Sequence, residues 1–156
     1  MILPASLTTL LHFHHIGLAV ADPDVTFRFL ALQGYTEGNM VYDPLQRVNL
    51  AMRHHQIMPD FEVIWPGSEP SPIDKMIKRH GTMMYHCCYE TDRVDDALKI
   101  ITDGGFDVAM VSPPKPALLF GGREVSFHLI DKFGLIELLS ASSAPTASNK
   151  SPDPAG

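Results

Sequence analysis

The sequence predicts an α+β fold: two βαβββ modules whose curved mixed sheets surround a shared metal-binding cleft. Three observations carry that expectation. The chain resembles itself at an offset of 71 residues. Each copy reads as an extended segment, a helix and three further extended segments. Each copy also carries one histidine on its first strand and one glutamate on its last.

At that offset His15-Ile-Gly-Leu-Ala-Val lies on His86-Cys-Cys-Tyr-Glu-Thr, Asp24 on Asp95, Phe27 on Leu98, Gly34 on Gly105 and Tyr35 on Phe106. The match runs without a gap, 15–35 against 86–106. Both stretches pass from a period-2 strand to a helical pattern, then to a glycine that ends the helix and an aromatic that opens the next strand. Extended segments follow at Asn39–Tyr42, Arg47–Arg53 and Asp60–Trp65 in the first copy, and at Val108–Val111, Glu124–Ile130 and Leu135–Leu139 in the second. The Pro113-Pro114-Lys-Pro116 stretch and Asp131-Lys-Phe-Gly134 read as the loops between the latter three. Ser71-Pro72-Ile-Asp-Lys-Met-Ile-Lys-Arg79 reads as a connecting helix, with Ser71 as N-cap and Pro72 at the first helical position.

The expected organisation is one domain over 12–140: module one about 12–67, connecting helix about 71–80 and module two about 84–140. Residues 141–156, mostly Ala, Ser and Pro with no large apolar side chain, read as a flexible tail. Leu7, Leu10 and Leu11 suit either a short cap or an extra strand.

Twelve basic and 18 acidic side chains leave a net charge of −6, without the basic face that nucleic-acid binding requires. No apolar run is long enough to span a membrane. The N-terminal stretch lacks the basic start of a secretion signal. Cys87 and Cys88 are neighbours and close no useful loop. Together these features predict a soluble cytoplasmic protein that binds neither nucleic acid nor membrane.

Strand alternation then places the chemistry. His15, Gly17 and Ala19 share one face of the first strand, while Ile16, Leu18 and Val20 share the other. In a regular strand His14 points away from His15 and Tyr85 away from His86, whereas Cys88 and Glu90 lie on the His86 face. Glu62 follows His15 by 47 residues and Glu137 follows His86 by 51, each among apolar neighbours. A carboxylate within Leu-Ile-Glu-Leu-Leu is costly unless paired, exposed or metal-bound. Two imidazoles and two carboxylates suit one divalent ion, Co, Ni, Zn, Mn or Fe, so His15, Glu62, His86 and Glu137 are the predicted ligands; the alternative is a pair of hydrogen-bonded core histidines with the glutamates facing solvent. With such an ion polarising a carbonyl, Glu62 and Glu137 on opposite sides of the neighbouring carbon are the candidates for proton removal and return. His54 and His55, beside a turn and without a carboxylate partner in the repeat, read as surface residues.

Four segments carry a resemblance to a known family: His14-His15-Ile-Gly-Leu-Ala-Val, the Ser71-Pro72 helix, Tyr85-His86-Cys-Cys-Tyr-Glu and Gly134-Leu-Ile-Glu137-Leu. Over roughly 12–140 the chain resembles the vicinal oxygen chelate superfamily of glyoxalase I, methylmalonyl-CoA epimerase, extradiol dioxygenases and bleomycin-resistance proteins. The serine-proline helix and the last strand are most similar to the epimerase branch. The resemblance implies paired βαβββ modules, metal ligands at His15, Glu62, His86 and Glu137, and commonly a homodimer. It implies an isomerase or epimerase acting beside a thioester or ketone carbonyl, on a CoA or carrier-protein thioester. Two positions depart from that branch: it usually has Gln where Glu62 stands, and a glutamate base where Asn49 stands. Glutamate at the first position is the glyoxalase I habit, so a lactoylglutathione lyase is the alternative, with a non-catalytic binding or resistance protein as another.

Residues expected to touch substrate complete the reading. Asn49 occupies the base position of the epimerase branch, and Cys88 is a small residue on the His86 face. Leu119 and Phe120 tip a glycine-containing loop that suits a lid or a plain hairpin turn. Arg123, with Lys115 and with Lys75, Lys78 and Arg79 on the connecting helix, suits either a phosphate contact or a solvated surface. His128 suits either the cleft or a structural role.

Overall fold

The structure, a computed structural model, describes residues 6–141. A short 3-10 turn at Leu7–Thr9 precedes β1 (His12–Ala19), α1 (Pro23–Leu32), β2 (Thr36–Asp43), β3 (Val48–His54) and β4 (Phe61–Pro66). After the connecting helix α2 (Asp74–His80) come β5 (Met83–Glu90), α3 (Val94–Asp103), β6 (Val108–Pro116), a second 3-10 turn at Leu118–Phe120, β7 (Glu124–Ile130) and β8 (Gly134–Leu139). The α+β class and the paired βαβββ organisation hold. The strands form one eight-stranded sheet in the order β2-β3-β4-β1-β5-β8-β7-β6. Each module pairs its first strand parallel to its last, and β1 and β5 join the modules antiparallel at the centre.

Local chemistry explains the repeated halves. Asp22 accepts a hydrogen bond from the Val25 amide and Pro23 opens α1. Gly34 and Gly105, equivalent in the repeat, follow the two helices with φ of 90° and 89°, a conformation that a β-carbon disfavours. The helices cover one face of the sheet. Val20, Leu30, Tyr35 and Val63 pack beneath α1, and Ile101, Ile130, Ile136 and Leu138 beneath α3. Leu7 and Leu11 join the second of these clusters, so the N-terminal segment is a cap rather than a strand.

The opposite face is concave. Val48, Leu50, Met52, Ile64, Ile73 and Leu119 form its core on the module-one side; Cys88, Ala117, Val125, Phe127 and Leu139 form it on the module-two side. Phe120 packs against both, and its turn lies against β2, so the sheet curls until module two reaches the far edge of module one.

Two local expectations are corrected. The Pro113–Pro116 stretch is the end of β6 rather than a loop. This strand pairs only with β7, through register shifts on either side of Ser112, and an edge strand tolerates prolines because no neighbour needs their missing amides. The connecting helix begins at Asp74, and Ser71 is not its N-cap. Instead the Ser71 hydroxyl and amide both donate to the Asp74 carboxylate, at 2.6 and 2.8 Å. Of the predicted tail, residues 142–156 lie outside the described residues.

Candidate metal centre

The four repeat-related residues meet on the concave face. Gly17 pairs with Glu62 across β1 and β4 and with His86 across β1 and β5; Cys88 pairs with His15 and with Glu137. His15, Glu62, His86 and Glu137 are each at most 4% exposed. The two Nε2 atoms lie 3.4 Å apart. His15 Nε2 is 3.8 Å from Glu62 and 3.6 Å from Glu137, and His86 Nε2 is 3.7 and 3.9 Å from the same two. Room for the His86 ring comes from Gly17, where a β-carbon would sit 2.3 Å from its Cε1.

These separations exceed a normal hydrogen bond. Donor atoms bound at about 2.1 Å to one ion stand roughly 3.0–3.4 Å from one another, so the observed set is a slightly open version of that arrangement. Its electrostatics agree. Burial, with the charges of His86 and His14, pushes His15 down to about 2, and burial alone pushes His86 to about 3. Both rings are therefore neutral, as metal ligands must be. Burial raises Glu137 to about 7, against a hydrogen bond from the Cys88 thiol. Burial, then the charges of Glu137 and Asp43, drives Glu62 well above the usual carboxylate range. Glu137 Oε1 has no hydrogen-bond partner, and neither does His86 Nδ1. A divalent cation would satisfy this cluster, because it neutralises two carboxylates that otherwise resist ionisation together.

Around the ligands the structure departs from strict alternation at matching places. In the pairing of β1 with β5, His14 is an extra residue between Phe13 and His15, and Tyr85 is an extra residue between Met84 and His86. Such bulges re-aim side chains. His14 consequently turns toward His15, with the two Nδ1 atoms 2.8 Å apart. Tyr85 turns into a cavity of about 250 Å³ that is also lined by Val48, Ile64, Ile73, Lys115 and Phe127. Burial and the nearby carboxylates raise the Tyr85 hydroxyl. Phe127, in the wall of this cavity, stands edge-on to His86 at 5.4 Å. On the other side Phe120 stacks on His15 at 5.5 Å, while Leu119 is buried in the apolar core of the module-one side.

Other predicted contacts are not assembled here. Asn49 pairs with Trp65, off the face that holds Glu62, and donates to the Pro66 carbonyl. Val48 and Leu50 occupy the concave positions on either side of it. His128 pairs with Ile136 on the helix-covered face and bonds to Ser126 at 2.9 Å. Arg123 is tied to Glu90 and to the Ser140 carbonyl. His54 has a carboxylate partner after all, Asp60 at 2.7 Å, which also accepts from the His55 amide. Asp43, not singled out by the sequence, is 1% exposed and accepts from the Leu45 and Gln46 amides, adding negative potential at Glu62.

The paired βαβββ modules thus form one sheet that gathers two histidines and two glutamates, all buried, on its concave face. The chain belongs to the glyoxalase/bleomycin resistance protein/dioxygenase superfamily, whose profile matches residues 14–127. No curated protein sequence matches it. Among solved structures it is similar to methylmalonyl-CoA epimerase from Mycobacterium tuberculosis, at 21% identity over 92% of this chain and 94% of that one, with a TM-score of 0.68. A hypothetical protein from Bacillus halodurans C-125 gives 23% identity, coverage of 87% and 98%, and a TM-score of 0.70. A Streptomyces coelicolor methylmalonyl-CoA epimerase variant in complex with 2-nitronate-propionyl-CoA gives 24%, 86% and 99%, and 0.63. At these identities the likeness establishes the fold.

Proposed function

We propose that the protein is a metal-dependent isomerase or epimerase that moves a proton on the carbon beside a thioester or ketone carbonyl. The observation that carries this reading is the convergence of two neutral histidines and two reluctant carboxylates, all buried, beside a small cavity. His15, His86, Glu62 and Glu137 would hold a divalent ion. When bound, that ion supplies positive charge for the carbonyl oxygen as the adjacent C–H bond loses its proton.

The chain's own residues set the rest. Asn49 is turned away, which leaves Glu62 and Glu137 as the carboxylates that can exchange protons with a substrate in the cavity. Glu137 is the better base: its Oε1 is unpartnered, and the Cys88 thiol steadies its ionised form. Glu62 faces the same centre from the other module and returns the proton to the opposite side. Phe120 and Phe127 exclude water around the two histidines. A cavity of about 250 Å³ suits a small acyl group, with its carrier outside near Lys115. The CoA complex of the Streptomyces relative supports a CoA thioester as that carrier.

The test is incubation with a panel of acyl-CoA thioesters, methylmalonyl-CoA among them, in deuterium oxide. The expected result is metal-dependent deuterium uptake at the carbon beside the thioester, lost in Glu137→Gln. Uptake that is unchanged in that variant would remove Glu137 as the base. The second reading, a lactoylglutathione lyase, is favoured by glutamate rather than glutamine at position 62; turnover of methylglyoxal with glutathione, and no exchange on any thioester, would select it.

A further inference from the structure

We infer that His14 is a positioning residue for the metal centre: its ring accepts a hydrogen bond from His15 Nδ1–H and so fixes the tautomer in which His15 Nε2 offers its lone pair to the ion. The inference rests on the metal reading above and adds to it a residue outside the four ligands.

The geometry leaves one consistent arrangement. The two Nδ1 atoms lie 2.8 Å apart, so one carries a proton and the other receives it. If His15 were the acceptor, its neutral ring would carry the proton on Nε2. That proton would point at His86 Nε2, 3.4 Å away, and at the two carboxylates, and His15 would be no ligand. With the proton on His15 Nδ1, both histidines offer lone pairs to the centre, and the remaining ring nitrogen of His14 carries its own proton. Ligand histidines depend in this way on the partner of their second nitrogen.

Two further features hold His14 in place. The β1 bulge turns it to the His15 side, where a regular strand would direct it away. Phe120 stands edge-on to His14 at 5.5 Å while stacking on His15, so one aromatic side chain restrains both rings. No equivalent exists in the other module: the repeat position holds Tyr85, which lines the cavity, and His86 Nδ1 has no hydrogen-bond partner.

The experiment compares Zn²⁺ affinity, by competition with a chromophoric chelator, in the wild-type chain, His14→Phe and His14→Asn. Phenylalanine keeps a ring against Phe120 but removes the acceptor; asparagine places an amide oxygen near the lost Nδ1. The expected outcome is about 10- to 100-fold weaker binding for His14→Phe and recovery of most of that loss by His14→Asn. Long-range ¹H–¹⁵N spectra of the same zinc-loaded wild type should find His15 protonated on Nδ1. Wild-type affinity in His14→Phe, no recovery in a folded His14→Asn, or a His15 proton on Nε2 would each overturn the inference. A wild type that takes up no Zn²⁺ marks a different failure, that of the metal reading, and removes this inference with it.

Discussion

Modules one and two supply the same two ligand types in the same register, yet they surround them differently. His15 is preceded by His14, which bonds to it, whereas His86 is preceded by Tyr85, which lines the cavity. Two residues beyond each ligand the repeat has Gly17 and Cys88. Gly17 leaves space for the His86 ring, and the Cys88 thiol favours the ionised form of Glu137. The repeat sets where the four ligands stand, while their immediate neighbours distinguish the two modules. Module one anchors, through His14 and a tight glycine. Module two lines the cavity, through Tyr85 and Phe127.

The largest test of that division compares the glutamates. Glu137→Gln should lower solvent-deuterium exchange about 10²- to 10⁴-fold, the range for removal of a positioned base. Glu62→Gln should lower exchange too, but should leave single-face proton removal measurable from one substrate epimer. Equal loss of that half-reaction in both variants would break the assignment of distinct roles.

Next comes Gly17→Ala. Its β-carbon would overlap the His86 ring, so the ring must move, with a cost to stability of about 1–3 kcal/mol and a loss of metal from the purified protein. Thermal unfolding with metal analysis checks both. Cys88→Ala, at the repeat-equivalent position, should retain metal while the pH dependence of its uptake shifts upward, because Glu137 loses a bond that favours its ionised form. A Gly17→Ala protein as stable and metal-rich as wild type would show that the ring has freedom the packing denies it.

Metal uptake should strengthen as pH rises through about 7. The sign follows from which groups must lose protons. Glu137, raised to about 7, is protonated in the free protein below that value, and Glu62 is raised as well. His15 and His86, pushed to about 2 and 3, are already neutral and contribute nothing in this range. Calorimetry in buffers of different ionisation enthalpy should accordingly detect protons released on binding at pH 6. Uptake that is independent of pH between 5 and 7 would contradict the raised carboxyls.

The smallest expected effect is that of Asn49→Ala, within about twofold of wild-type exchange, because its side chain bonds to a backbone carbonyl off the cleft face. A large loss would restore Asn49 to the site.

The comparison also marks what the chain discloses before it folds. The repeat exposes the ligands because period-2 alternation and a constant offset both survive divergence: His15 and His86, Glu62 and Glu137 are legible residue by residue. Alternation fails where one strand has an extra residue, so neither His14 nor Tyr85 could be placed; the bulge that turns them inward depends on how β1 pairs with β5. His128 was partly legible. Counting back from the turn at Asp131–Phe133 pairs it with Ile136 rather than Glu137. Asn49 was not, because a six-residue connection between β3 and β4 leaves their register free until the strands pair. Arg123 looked like a free cation because its partner, Glu90, lies 33 residues away on another strand. Prolines 113, 114 and 116 suggested a loop because an edge position, which excuses them, is a property of the finished sheet.

The central claim is a divalent ion held jointly by both modules. Elemental analysis of protein purified without chelators, wild type beside His86→Ala, tests it most directly. The account predicts near-stoichiometric metal in the wild type and its loss when the module-two ligand is removed, although His15, Glu62 and Glu137 remain. A wild type that stays empty when supplied with divalent ions, or a His86→Ala protein that keeps its full complement, would contradict it.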